Sequence, residues 1–90
     1  MIVRERFIVT GDINDGGIRY FSQMKATPLK LTGFSKKIGD GTIHIEVQGE
    51  KENIERFKEA LYIGNGFFNV ENIKIDEIEL IENEKNFLVK

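Results

Sequence analysis

The sequence predicts an α+β sandwich, in which two helices cover one face of an antiparallel sheet, and three observations carry that prediction. Runs rich in β-branched and aromatic residues alternate with two helical segments in the order strand, helix, strand, strand, helix, strand. The turn Gly39-Asp40-Gly41 separates two strand-like runs, and the second, Thr42-Ile43-His44-Ile45-Glu46-Val47-Gln48, alternates apolar with polar residues, which makes the centre of the chain a hairpin. From Glu50 to Ile63 the residues Ile54, Phe57, Ala60 or Leu61 and Tyr62 return at helical spacing. The order is that of the ferredoxin-like split βαβ motif.

The elements follow in turn. Arg4 to Thr10 is a first strand that ends at Gly11. A helix runs from Arg19 to about Ala26, placing Tyr20, Phe21, Met24 and Ala26 together, and Thr27-Pro28 ends or kinks it because proline lacks a backbone donor. Leu31 to Lys37 is the second strand and Thr42 to Gln48 the third. The second helix has acidic residues at its N-terminal end, where the macrodipole favours them, and stops at Gly64-Asn65-Gly66. Val70 to Ile81 is a long strand whose apolar phase shifts between Ile75 and Ile78, which predicts a bulge near Asp76-Glu77. Phe87-Leu88-Val89 is a short closing strand. The aromatic residues fall mostly at core phases, while Phe67-Phe68 stands in a loop as a contact patch.

Composition narrows the function classes. A chain of 90 residues without a Ser- or Pro-rich linker is one domain, residues 1–90. There is no cysteine, so disulfides and thiolate metal sites are excluded, and the single histidine, His44, is an exposed sheet residue with no second ligand beside it. No metal or cofactor is expected. Charges at Arg4, Glu5 and Arg6 interrupt any signal-type apolar run, and no stretch approaches the roughly 20 residues of a membrane span, which points to a cytoplasmic protein with no membrane partner. With a net charge of -2 there is no global basic field for nucleic acid, so an anion site must be local.

One stretch supplies such a site. Val9-Thr10-Gly11-Asp12-Ile13-Asn14-Asp15-Gly16-Gly17-Ile18-Arg19 is a strand end, a glycine-bearing loop and an arginine that opens a helix. Backbone N–H groups of such a loop converge with a helix N-terminus on one point, and a guanidinium adds a permanent charge with fork geometry. Asn14, Asp15, Gly16, Gly17, Ile18 and Arg19 are therefore the candidate phosphate-binding residues, and a small phosphate-bearing anion is the expected partner.

The same stretch resembles the acylphosphatase signature, in which glycine, any residue and valine are followed by Gln-Gly-Val-Gly-Phe-Arg. Gly11, Gly17 and Arg19 match, Ile13, Asn14 and Ile18 are mild changes, and Asp15 and Gly16 stand where Gly and Val belong. The likeness extends to Leu31-Thr32-Gly33-Phe34, Asp40-Gly41-Thr42, Val47-Gln48-Gly49 and the final Phe87-x-Val89. It implies the same α+β fold and a hydrolase that cleaves the carboxyl-phosphate bond of small acyl phosphates without a metal or covalent intermediate. It also implies two catalytic positions: an arginine that clamps the phosphate, matched by Arg19, and a strand asparagine that accepts a hydrogen bond from the attacking water. Lys37 occupies that asparagine's position.

An amide offers an acceptor and donors, whereas a lysine ammonium has three donors and no acceptor. Lys37 is thus expected to hold an anion rather than orient water. The Asp15 carboxylate repels a phosphate, its Cβ is expected to disfavour a loop geometry that glycine permits, and it is placed to form an ion pair with Lys37. The leading reading is a degenerate acylphosphatase-like domain with hydrolysis absent or severely reduced. Two alternatives stand beside it: an active acylphosphatase in which Asn14 or Ser35 positions the water, and a regulatory or partner-binding ferredoxin-like module.

Overall fold

Alternation along the first strand decides the two faces of the sheet. In β1 (Ile2–Asp12), Val3, Phe7 and Val9 are buried on one side, and Arg4, Arg6, Ile8 and Thr10 point to the other. The computed structural model describes residues 1–90 and continues with α1 (Ile18–Ala26), β2 (Thr32–Gly39), β3 (Thr42–Glu50), α2 (Lys51–Ile63), β4 (Asn69–Ile78) and β5 (Phe87–Val89). The sheet order is β4-β1-β3-β2-β5. Both helices bury their apolar residues against the side of β1 that carries Phe7 and Val9. Phe57 of α2 ties this core together, with ring centroids 6.1 Å from Phe7 and 5.9 Å from Phe87.

The pairing is not wholly antiparallel. β2 and β5 run parallel, with Gly33 opposite Phe87 and Ser35 opposite Val89, because the segment after β4 crosses the open face of the sheet before the chain returns beside β2. No bulge occurs at Asp76-Glu77. The β1–β4 register is regular from Arg4–Ile78 to Thr10–Asn72 and shifts only between Thr10 and Gly11, which faces Val70. Ile75 and Ile78 are out of phase because they lie on opposite faces of a regular strand, Ile75 opposite Phe7 and Ile78 opposite Arg4. β4 ends at Ile78 rather than Ile81, since Ile81 is drawn off the strand by Gln48.

Helical phase also differs from expectation at three aromatic or long side chains. Ile18, Phe21, Ser22 and Ala26 form the buried face of α1, leaving Tyr20 and Met24 exposed, and Tyr62 of α2 is likewise outside the core. The Phe67-Phe68 patch is divided. Phe68 is buried edge-on against Phe21 with centroids 5.1 Å apart, and only Phe67 is exposed. Phe34 lies on the open face beside a half-buried His44, whose Nε2 is 3.1 Å from Glu46 Oε2. No helix is long and apolar enough to cross a membrane.

Candidate functional site

Residues Ile13 to Gly17 join the end of β1 to α1, and two buried isoleucines anchor that link at either side, Ile13 and Ile18. Between them the loop is exposed and needs fixing. Asn14 reaches the β2–β3 turn: its Nδ2 donates to Asp40 Oδ1 at 3.1 Å, and its Oδ1 accepts from the Gly41 N–H at 2.8 Å. The Gly11 N–H donates to the Gly41 carbonyl at 3.2 Å. On the opposite flank, Asn65 Nδ2 donates to the Gly16 carbonyl at 2.9 Å while its Oδ1 accepts from the Phe67 N–H at 2.8 Å. Each asparagine satisfies a donor and an acceptor at once, clasping the loop to a neighbouring turn.

Gly16 and Gly17 carry the reversal, with φ of 94° and 72°. A Cβ on Gly16 would sit 2.5 Å from the Phe67 carbonyl oxygen, so the loop packs too tightly there for any side chain. Gly17 is the residue that caps α1, in the left-handed conformation and without a side-chain cap. Asp15 is not strained: the non-glycine residues of positive φ are Lys30 and Asn83 alone. The expected conflict between its Cβ and the loop does not arise, because the glycines one and two places on take the positive φ instead.

The loop, the start of α1 and β2 enclose a cavity of about 320 Å³ lined by Ile13, Asn14, Asp15, Gly16, Gly17, Ile18, Arg19, Tyr20 and Lys37. The loop candidates Asn14 to Arg19 and Lys37 therefore meet at one place, while Ser35, the other candidate for positioning water, is buried outside the lining. Lys37 arrives there because it pairs with Ile43 and so shares the helix-covered face of the sheet with Ser35. The backbone N–H groups of Asp15, Gly16 and Gly17 engage no protein acceptor, and the first-turn donors of α1 have no intrahelical partner. Arg19 is half-buried and its Nη1 donates to the Lys90 backbone oxygen at 2.7 Å. Its own carbonyl accepts from the buried Ser35 hydroxyl at 3.2 Å.

The electrostatics follow from what is unpaired. Neither Arg19 nor Lys37 pairs with an Asp or Glu side chain, and the expected Asp15–Lys37 ion pair does not form. Two cationic side chains and the Asp15 carboxylate thus border the cavity together with free N–H groups. The clasps made by Asn65 and Asp40, the Lys90 contact and the Tyr20 wall have no counterpart in the sequence reading. The Gly64-Asn65-Gly66 turn carried the only local signal, since asparagine between glycines is a residue suited to bonding nearby backbone.

A glycine loop at a helix N-terminus beside a guanidinium, on a sheet of order β4-β1-β3-β2-β5 covered by two helices, defines a two-layer domain of the α+β class. The family model for acylphosphatase matches residues 5–89. The chain belongs to the acylphosphatase family. An acylphosphatase of Clostridium acetobutylicum is 38% identical over 87 residues, covering 94% of this chain and 96% of that one. One from Clostridium beijerinckii is 37% identical over 89 residues, covering 99% of each. The crystal structure of the Bacillus subtilis acylphosphatase matches with a TM-score of 0.90 at 33% identity, covering 100% of this chain and 99% of its own.

Proposed function

We propose that this chain is an acylphosphatase-fold domain that binds a small phosphate-bearing anion in the Arg19 cavity and hydrolyses acyl phosphates poorly or not at all. One observation carries the reading: the side chain at the position of the family's water-orienting asparagine borders the cavity and offers no hydrogen-bond acceptor. Lys37 stands at the position of the family's asparagine and has no acceptor. The Asn14 amide is bound at both ends, to Asp40 and Gly41, and Ser35 is fully buried outside the cavity lining. Holding an anion needs only donors and charge, which the loop, Arg19 and Lys37 supply; orienting water needs an acceptor as well.

The second reading, an active acylphosphatase, is favoured by the activity named for the relatives and by acceptors that remain at the cavity, the Asp15 carboxylate and the Tyr20 hydroxyl. A carboxylate there orients water at the expense of repelling the phosphate. Titration with inorganic phosphate, followed through the amide resonances of Asp15 to Ile18, tests the first reading. The expected result is saturable shifts that Arg19→Ala abolishes; no shift in the unaltered chain contradicts it. Hydrolysis that Asp15→Ala removes would favour the second.

A further inference from the structure

On the face of the sheet away from the helices, the buried charge of Arg4 has no part in the cavity. Arg4 is 1% exposed. Its Nε donates to Glu46 Oε1 at 3.0 Å and its Nη1 to Glu84 Oε1 at 2.8 Å and Gln48 Oε1 at 3.3 Å. Nη2 lies 2.9 Å from Glu46 Oε1 without the alignment of a hydrogen bond. Burial opposes this charge, and the hydrogen bonds and charges of Glu84 and Glu46 outweigh that opposition, holding its pKa above the ordinary arginine value. Beside it, Gln48 grips the backbone of Ile81 twice, accepting from its N–H at 2.9 Å and donating to its carbonyl at 3.0 Å.

Both grips fall on the segment between β4 and β5. That segment leads straight into β5, whose surroundings hold the cavity arginine: Asn86 O accepts from Gly33 N–H at 3.0 Å, Lys90 N–H donates to Ser35 O at 2.8 Å, and Lys90 O accepts from Arg19 at 2.7 Å. Gln23 of α1 also donates to Phe87 O at 2.8 Å. A three-residue parallel strand is a weak ladder, to which these bonds, the Phe87 ring and the Lys90 ammonium 4.2 Å from the Phe34 ring centroid add their hold. We propose that Arg4, Gln48 and Glu84 form a latch that docks β5 and thereby positions the Arg19 guanidinium at the cavity. Apolar packing would tolerate sliding of the segment; a planar guanidinium between two carboxylates fixes where it lies. These are positioning residues, acting through β5.

The phosphate arm of the test rests on the proposed anion site, and the other two arms do not. Glu84→Ala, with Gln48→Ala as the second variant should the first fail to fold, is compared with the unaltered chain by amide hydrogen exchange and by the Arg19 Nε–Hε resonance. The latch predicts exchange about tenfold faster at Gly33 and Lys90, with the β1–β3 amides unchanged, and an Arg19 resonance moved toward that of free arginine. It also predicts phosphate binding weakened by about threefold or more. Unchanged exchange at Gly33 and Lys90 overturns the latch. Faster exchange with an unmoved Arg19 resonance overturns the positioning of Arg19. Absence of phosphate binding in the unaltered chain overturns the anion reading alone, since exchange and the Arg19 resonance still decide the latch.

Discussion

Arg4 and Arg19 are the same residue in opposite circumstances. Arg4 is buried on one face of the sheet between Glu46 and Glu84, whereas Arg19 borders the cavity, bonded to the Lys90 main-chain oxygen and to no Asp or Glu side chain. The first has its charge met by two glutamates inside the fold, and the second meets no acidic side chain. Acidic side-chain partners, rather than exposure alone, distinguish the two guanidinium groups. Lys51 and Lys37 repeat the contrast. Lys51 Nζ donates to Oε2 of the buried Glu5 at 2.6 Å, while Lys37 meets no carboxylate at the cavity.

The contrast is most easily broken at Arg4. Arg4→Met leaves Glu46 and Glu84 facing each other without a cation, and the expected loss is about 3 kcal/mol in urea unfolding, near the lower end for a broken buried pair because both glutamates keep some solvent. Next come the two glycines of the cradle. Gly16→Ala drives a Cβ against the Phe67 carbonyl at positive φ and is expected to cost about 2 kcal/mol. Gly17→Ala meets nothing within 4 Å and pays only the left-handed conformation, about 1 kcal/mol. Equal costs at the two positions would contradict the packing described around Gly16.

Lys51 gives the pH dependence. The Glu5 hydrogen bond and charge raise its pKa above the ordinary lysine value, so its contribution to stability is fully present below about pH 10.4 and lost as pH rises through the raised value. In Lys51→Met, thermal unfolding should lose that alkaline slope. Arg19→Ala is expected to move stability least, within about 0.5 kcal/mol, while abolishing phosphate-induced shifts. A large stability loss there would make Arg19 a structural residue like Arg4.

Much of the fold was legible because it rests on local patterns: the Gly39-Asp40-Gly41 hairpin, the glycine stop after α2 and the alternation from Thr42 to Gln48 all act within a few residues. The loop pattern singled out Asn14 to Arg19, and the family resemblance alone added Lys37; all of them line one cavity. What escaped the reading depends on distant segments. Tyr20 and Met24 fit a helical stripe, but the tertiary arrangement buries Ser22 in preference. The shift between Ile75 and Ile78 has the same appearance in sequence whether a strand bulges or offers apolar residues to both faces. The Asn14–Asp40 and Asn65–Gly16 clasps join turns 26 and 49 residues apart, beyond any local pattern.

The central claim is that the cavity holds an anion but has lost its water-orienting acceptor. Its most direct test is benzoyl phosphate hydrolysis by the unaltered chain and by Lys37→Asn combined with Asp15→Gly, with Arg19→Ala as the background of each. The account predicts turnover at or barely above background in the unaltered chain and much faster, Arg19-dependent turnover in the double variant. Arg19-dependent turnover in the unaltered chain as fast as in the double variant would contradict it.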